Sequence, residues 1–205
     1  MDFFNIQNTG YTLTFIVLLI IMGKKILVFS DTHGSITVLK SVFSWANDHI
    51  PPKDTICAAV CLGDGVSDIR KAADATGFYC DWKVVCGNND YDIQAPEVIV
   101  FDYADHRFFM CHGHRYGLYG GYNTLLAAAK NSEADAALFG HSHVPFYKVV
   151  DGVSIINPGS AGRPRSNIGS TFAVIECIEN KPLKVEFWGI GAYSQSIRKV
   201  KVSSK

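Results

Sequence analysis

A chain of 205 residues is long enough for one α/β domain with a sizeable core and too short for two comfortable ones. Its 19 acidic and 19 basic residues balance, so no overall field draws it to an anionic membrane, and we expect no stable nucleic-acid binding. Apolar residues make up 48% of the chain, which excludes a disordered or collagen-like protein.

The first 22 residues form an apolar segment ahead of the first predicted strand. Its uninterrupted apolar run, within TLTFIVLLIIMG, is far shorter than the ~20 residues that a membrane-spanning helix needs, so we expect no membrane span. It also lacks the basic start and the small-residue cleavage site of a signal peptide. We interpret residues 1–22 as an extension outside the fold, from an incorrectly assigned start codon or acting as a weak anchor, and residues 23–205 as a single domain.

The first half of the chain alternates buried strands with helices. The continuous apolar run KKILVFS (24–30) predicts a strand that is buried on both faces. Ser35 is placed to cap a helix whose apolar residues recur every three or four positions from Ile36 to Ala46. Three further elements follow: a buried strand at 54–62, a short helix to about Ala75 and a strand at 82–86.

The second half predicts strand pairs with one more helix. The run EVIVFDYADHRFFMCHG indicates two strands around a tight turn at Ala104–Asp105, and Asp151–Gly152 between two apolar runs is a strong hairpin signal. The remaining elements are a helix at 121–134, a buried strand at 135–140 and two strands around the turn ENK at 179–181. Because no internal repeat, linker or low-complexity segment interrupts this order, we expect one domain.

The six cysteines show no CxxC pair and no regular spacing. Several lie in apolar runs such as TICAAVCLGD and FFMCHG, where a free cysteine behaves as a small hydrophobic residue. We therefore expect reduced thiols, which favour a cytoplasmic protein.

Five predicted strands end in residues that are suited to metal binding. They are Asp31 and His33 in SDTHG, Asp64 in LGDG, Asn88 in CGNND, His112 in CHGH, and His141 with His143 in GHSH. In open α/β sheets, sites form beyond the carboxyl ends of the strands, so these side chains should converge. Carboxylate and imidazole ligands suit Mn, Fe or Zn, and no cysteine ligand is needed.

Each motif alone has a simpler interpretation. Asp31 could cap the following helix, Asn88 could form a turn, and His112 could be an ordinary structural histidine. GHSH is moderately specific, because two histidines so close together after a buried strand rarely serve packing. All five motifs in this order favour a metal centre.

This ordered set resembles the calcineurin-like metallophosphoesterase superfamily, whose motifs run D-x-H, G-D, G-N-H-[E/D], H and G-H-x-H. The match covers residues 24 to about 190, and the segments GNND and INPGSAGRPR are most similar to the small bacterial and archaeal phosphodiesterases of that superfamily. The resemblance implies an α/β fold, a four-layer α/β/β/α sandwich with the site at the carboxyl ends of the strands.

The resemblance also implies two divalent metal ions, with Mn²⁺ expected and Fe, Zn, Ni or Mg as alternatives. The first ion would be held by Asp31, His33, Asp64 and His143, and the second by Asp64, Asn88, His112 and His141, with Asp64 bridging both. The implied reaction is in-line attack on phosphorus by a hydroxide that bridges the ions, while Asn88 steadies the charge on the phosphoryl oxygens.

One residue departs from the pattern of the family. Many members carry a histidine after the motif asparagine that is thought to protonate the leaving group, whereas this chain has Asn89, which is not an acid. His114 is a candidate substitute, with a structural or surface role as the alternative. We therefore expect modest activity on diesters with good leaving groups and slow hydrolysis of alkyl monoesters.

Three further residues near these motifs are candidates for the site. Asp90 could orient a metal ligand or simply belong to the turn. Arg163 and Arg165 lie in NPGSAGRPR, and Arg165 is the better candidate for phosphate contact, although basic residues in such loops are often only solvated.

The resemblance favours a phosphodiesterase acting on a small phosphodiester, and two other functions stay open. The retromer subunit with this fold is a non-catalytic protein-interaction scaffold; loss of a metal-ligating histidine marks that route, and all seven candidate ligands are present here. A phosphomonoesterase is disfavoured by Asn89 and by the absence of insertions that would shape a pocket. A homodimer or homotetramer is expected from the subgroup.

Overall fold

The computed structural model of this chain describes residues 24–50, 56–91, 93–191 and 196–202. The predicted extension at 1–22 lies outside the described residues, and so does its boundary with the domain. The described elements are, in chain order, β1 (Lys24–Phe29), α1 (Ile36–His49), β2 (Ile56–Cys61), α2 (Val66–Thr76), β3 (Asp81–Val84), β4 (Val98–Tyr103), β5 (His106–Cys111), a 3-10 helix (Leu118–Gly120), α3 (Asn123–Asn131), β6 (Ala136–Leu138), β7 (Pro145–Val150), β8 (Val153–Pro158), β9 (Ser170–Cys177), β10 (Lys184–Ile190) and β11 (Ile197–Val200).

These strands form two sheets, and each sheet contains three neighbouring strands that are parallel. The first sheet has the order β11-β10-β9-β1-β2-β3, and the second has the order β4-β5-β6-β8-β7. β1, β2 and β3 run parallel in the first sheet, as do β5, β6 and β8 in the second. The loops that follow the carboxyl ends of these parallel strands therefore gather at one edge of the molecule.

Alternation of side chains along the central strands builds the layers. Leu27 packs in the core beneath α1 and α2, whereas its neighbour Val28 packs in the core between the two sheets. In the second sheet, Phe108 faces the same central core and Phe109 packs with Leu125 of α3. The layers are thus helices, sheet, sheet and helix, which confirms the predicted four-layer α/β/β/α sandwich.

The sequence predicted the two turns correctly. It was less accurate for the helix cap and for the lengths of the shorter elements. Turns occupy Ala104–Asp105 and Asp151–Gly152 as predicted. The first helix begins after Ser35, but the Ser35 side chain makes no capping hydrogen bond, because its ψ of 59° lies outside the extended region that capping residues use. α3 and β6 are shorter than predicted, and β11 was missed because its four residues show no apolar alternation.

The described part of the chain contains no helix that is long and apolar enough to cross a membrane.

Candidate metal centre

Five of the predicted ligands share an uncommon backbone conformation. Asp31, His33, Asp64, His141 and His143 have φ values between 45° and 62°, in the left-handed region that residues other than glycine seldom adopt. All five lie in the loops that follow β1, β2 and β6. Such conformations persist where the surrounding structure holds them in place, and they cluster at functional sites.

The loops after β1, β2 and β3 hold one another. The backbone N–H groups of Asp31 and His33 donate to the carbonyl oxygens of Gly63 and Asp64, both at 3.0 Å. A Cβ atom on Gly63 would overlap the backbone of Gly87, so the loop after β3 packs directly against the loop after β2. Residues that are distant in sequence are thereby fixed as one unit.

Two buried carboxylates lie among the imidazoles. Asp31 Oδ1 is 3.1 Å from His143 Nε2 and 3.9 Å from His112 Nε2. Asp64 Oδ2 is 3.5 Å from His112 Nε2 and 3.6 Å from His33 Nε2. Asp31, His33 and His143 place their ligand atoms within 4.8 Å of one another, and so do Asp31, Asp64 and His112. We refer to these five residues as the strand-end cluster.

The hydrogen bonds of the strand-end cluster leave ligand atoms available for a cation. Nδ1 of His112 donates to the carbonyl oxygen of Leu62 at 2.6 Å, and Nδ1 of His143 donates to that of Arg163. Because a carbonyl oxygen only accepts, each of these rings can keep a lone pair on Nε2. Buried Asp31 Oδ1 and His112 Nε2 make no hydrogen bond with any described residue. A divalent cation would satisfy both atoms, so the residues fit a metal ion.

Burial and neighbouring charges set the protonation of the cluster. Burial alone would raise the pKa of Asp64, but the His112 imidazole and the Asn89 amide outweigh it and hold that pKa well below its usual range. Burial lowers the pKa values of His33 and His141 in spite of the nearby carboxylates. At His112 and His143 burial also acts to lower the pKa, but the Asp64 and Asp31 carboxylates outweigh it and raise both pKa values. An ionised Asp64 is the form that binds a metal ion, and a bound cation would replace the proton that the carboxylates favour on His112 and His143.

The two remaining predicted ligands, Asn88 and His141, line the cleft above the cluster. This cleft has a volume of about 430 Å³. Asn88 is exposed in the loop after β3. The His141 ring centroid lies 5.2 Å from that of His112, and the His141 backbone N–H donates to Asp31 Oδ2 at 3.1 Å. The structure therefore brings all seven residues to one place, and their roles as ligands stay predictions.

His114, the predicted substitute acid, lies beside the cluster. Its ring centroid is 5.5 Å from that of His112 and 6.2 Å from that of His141, yet it is not among the residues that line the cleft. Burial, with His112 adding to it, lowers the pKa of His114. Its acid role stays a prediction.

Arg163 and Arg165 both line the cleft, as the position of their loop suggested. Both side chains are exposed. One guanidinium nitrogen of Arg165 donates to the hydroxyl of Tyr119, which also lines the cleft, at 3.4 Å. This position lets Arg165 reach an anion above the cluster, and phosphate contact stays a prediction.

The last two residues of GNND both hold Asp64. Asn89 donates from its backbone N–H to Asp64 Oδ1 at 2.8 Å and from Nδ2 to Asp64 Oδ2 at 2.5 Å. The Asp90 carboxylate accepts hydrogen bonds of 2.7 to 2.9 Å from four backbone N–H groups, those of Asp64, Gly65, Val66 and Gly87. Asp90 thus fixes the backbone that carries Asp64, and so it can orient this predicted ligand through its main chain.

Three residues near the cleft were missed from the sequence. Asp68, buried on α2, accepts a hydrogen bond from the Thr32 hydroxyl, and the Asn157 amide donates to the Gly140 carbonyl at 2.8 Å. Tyr119 lines the cleft. The available signals were an acidic residue in the first turn of a helix, an asparagine within the apolar run VSIINP, and a tyrosine in the glycine-rich loop YGLYGGY.

Comparison with protein families and curated proteins agrees with this geometry. The model of the calcineurin-like phosphoesterase superfamily domain matches residues 25–180. A probable metallophosphoesterase of Mycoplasma pneumoniae is 32% identical over 145 residues, which are 69% of this chain and 82% of the relative. A phosphodiesterase of Methanocaldococcus jannaschii is 26% identical over 149 residues, which are 66% of this chain and 82% of the relative.

Solved structures share the same architecture. A predicted phosphoesterase from Streptococcus pneumoniae TIGR4 superposes with a TM-score of 0.67 and 25% identity, covering 86% of this chain and 97% of that one. Vacuolar protein sorting 29 from Cryptosporidium parvum superposes with a TM-score of 0.69 and 16% identity, covering 89% of this chain and 99% of that one. The second likeness shows the fold alone.

Proposed function

The chain belongs to the calcineurin-like phosphoesterase superfamily, and from this membership we propose that it is a metal-dependent phosphodiesterase with a two-metal centre. The observation that carries the proposal is the strand-end cluster, in which buried Asp31 Oδ1 and His112 Nε2 lack any hydrogen bond within the described residues. Such atoms are costly to bury unless they have a partner, and a cation is the partner that suits a carboxylate and an imidazole together.

In this proposal each ion has four ligands. The first set is Asp31, His33, Asp64 and His143, and the second is Asp64, Asn88, His112 and His141. The place of Asp64 Oδ2, 3.6 Å from His33 Nε2 and 3.5 Å from His112 Nε2, supports a bridging role. We expect Mn²⁺, with Fe, Zn, Ni or Mg as alternatives. When bound, two such ions supply Lewis acidity at the phosphoryl oxygens and lower the pKa of a water molecule towards neutrality.

The residues of the chain would position the phosphodiester and hold its charge. The Arg165 guanidinium at the mouth of the cleft can contact phosphoryl oxygens, and Arg163 adds positive charge on the same rim. The Asn88 side chain lines the same space and can donate to a phosphoryl oxygen. The cleft thus offers donors on the solvent side of the phosphate and the cluster beneath it.

The preference for diesters with good leaving groups follows from Asn89. Its amide is engaged with Asp64 and cannot give up a proton at neutral pH. His114 stays the proposed substitute, but it does not line the cleft. The favoured substrate is therefore one whose leaving group departs as a stable anion, and alkyl monoesters should react slowly.

The test compares two chromogenic esters on the full-length chain after removal of metal with a chelator. Bis(p-nitrophenyl) phosphate and p-nitrophenyl phosphate are assayed with and without Mn²⁺, with Asp64→Asn as the control variant. We expect metal-dependent hydrolysis of the diester to exceed that of the monoester and to be lost in the variant. Faster hydrolysis of the monoester would favour a phosphomonoesterase. No turnover by folded protein with any divalent ion would favour the scaffold.

Location and assembly belong to the same proposal. The five cysteines that the structure describes are free, which supports a reducing compartment such as the cytoplasm. We propose a small phosphodiester as the substrate, and a homodimer or homotetramer as in the subgroup that the sequence resembles. Size-exclusion chromatography with light scattering measures the assembly directly.

A further inference from the structure

The rim of the cleft carries an aromatic side chain that the metal centre does not use. Tyr119 lies in the 3-10 helix Leu118–Gly120 and lines the same cleft as Asp64 and His141. Its side chain is 80% exposed, the largest exposure among the large apolar and aromatic residues that the structure describes. A large ring left in water at the mouth of a site offers a surface for a ligand ring.

Tyr119 contacts two other residues that line the cleft. Its hydroxyl accepts a hydrogen bond from Arg165 at 3.4 Å, and its ring centroid lies 6.3 Å from that of His141. The neighbouring Leu118 packs against the core beneath α3 and would be touched by any Cβ atom on Gly113. The ring therefore lies beside a predicted metal ligand, on a segment that is packed against the core.

The charges around this ring select an anion. Arg163 and Arg165 line the cleft together with Tyr119, and Asp64 is the one carboxylate among the residues that line it. A volume of about 430 Å³ exceeds what a bare phosphate needs and lies in the range of small-molecule sites. The ligand that matches is a phosphate ester carrying one planar ring.

We propose that the substrate is a phosphodiester of a single nucleoside, whose base stacks on Tyr119 while its phosphate lies between Arg165 and the strand-end cluster. This inference rests on the proposed function. Among natural phosphodiesters, those of nucleosides offer a planar ring close to the reacting phosphorus. The balanced charge of the chain and the size of the cleft favour one nucleotide unit over a longer strand.

The kinetic test uses two diesters that share p-nitrophenolate as the leaving group and differ only in the retained group, which is thymidine 5′-yl in one and ethyl in the other. We expect the wild type to favour the thymidine ester in kcat/KM by about tenfold, as one stacked base contributes. Tyr119→Ala should bring the ratio close to one, and Tyr119→Phe should restore it. Tyr79→Ala is the matched control, because Tyr79 is 69% exposed and does not line the cleft.

The binding test does not depend on turnover. Calorimetry on the Mn²⁺-loaded chain compares thymidine 5′-phosphate with ethyl phosphate, and Tyr119→Ala should weaken the former by about tenfold more than the latter. A ratio unaffected by Tyr119→Ala in both tests would overturn the inference. Much tighter binding of oligothymidylate than of the mononucleotide would overturn the choice of a single nucleotide. If the wild type hydrolyses neither diester but still binds thymidine 5′-phosphate selectively, the proposed diesterase activity is overturned and the role of Tyr119 is supported.

Discussion

Nine residues other than glycine have positive φ in the described part of the chain, and they divide between the two ends of the parallel strands. Five follow β1, β2 and β6 at the edge that carries the strand-end cluster. The other four, Ala104, Glu133, Asp151 and Asn180, lie in loops or turns that precede β5, β6 and β8 or follow β9. Because β9 runs antiparallel to β1, all four are at the opposite end.

The two groups differ in burial and in what holds them. All four residues at the opposite end are exposed, and each lies where the chain reverses direction or enters a strand. At the cluster, Asp31, Asp64 and His143 are buried, and the loops are bonded to one another across the sheets. Chain reversal accounts for an exposed left-handed residue. For a buried left-handed residue, we infer that the conformation serves to direct its side chain towards the cluster.

Asp64 and Asp151 allow the most direct test of this contrast. Both have positive φ, and asparagine accepts that conformation, so Asp→Asn changes the charge and leaves the backbone preference. Asp64→Asn should lower kcat/KM for bis(p-nitrophenyl) phosphate by about 100-fold or more. Asp151→Asn should stay within about twofold, because its ion pair with Lys130 is exposed. Equal losses in the two variants would remove the distinction between the ends.

Gly63 and Gly152 test the same contrast in backbone packing. Both have positive φ, 91° and 83°, but a Cβ atom on Gly63 would overlap Gly87 whereas one on Gly152 meets nothing within 4 Å. Gly63→Ala should lower the free energy of unfolding by roughly 4 kcal/mol, and Gly152→Ala by about 1 kcal/mol from backbone strain alone. Urea denaturation followed by circular dichroism measures both, and similar losses would show that the loops are not packed as described.

Asp90 and Asp135 both accept hydrogen bonds from backbone N–H groups, and they differ in how many they accept. Asp90 accepts four near the cluster, and exposed Asp135 accepts one, from Arg107 at 2.7 Å. Asp90→Asn should cost about 2 kcal/mol of unfolding free energy and weaken Mn²⁺ binding, because the Asp64 backbone is released. Asp135→Asn should cost less than about 0.5 kcal/mol. Unchanged Mn²⁺ affinity in Asp90→Asn would contradict a positioning role for Asp90.

The prediction for Cys80 concerns the reactivity of its thiol, and we expect no effect on hydrolysis. It precedes β3 at the opposite end, and burial raises its pKa to about 12. The thiol should therefore be protonated at pH 8 and react with iodoacetamide at least about 100-fold more slowly than free cysteine, until urea unfolds the chain. Peptide mass spectrometry over time measures this rate. Rapid labelling of Cys80 in the native chain would show that the thiol is not buried in this way.

The strand order and the convergence of the seven candidate ligands could be predicted from local signals, whereas the four-layer sandwich was predicted from the resemblance to the superfamily. Buried strands appear as apolar runs, and each ligand lies next to the end of one. Of the residues that support them, Asp90 was a candidate because it adjoins the asparagine motif, and the others could not be predicted because their partners are remote in sequence. Asp68 bonds to Thr32 and Asn157 to Gly140, contacts that exist only after the loops meet.

Tyr119 illustrates a second limit of sequence reasoning. The loop YGLYGGY contains three tyrosines, and nothing local distinguishes the one that reaches the cleft. Tyr116 and Tyr122 pack against the core beneath α3, and Tyr119 is left exposed between them. The distinction arises from how the loop packs on the second sheet.

Titration of Mn²⁺ into the chelator-treated full-length chain, followed by calorimetry, tests the central claim most directly. The account predicts two equivalents of ion for the wild type and at most one, bound more weakly, for Asp64→Asn, because Asp64 would bridge both ions. The account is contradicted if the folded wild type binds no divalent ion. It is also contradicted if the Asp64→Asn variant binds two equivalents as tightly as the wild type.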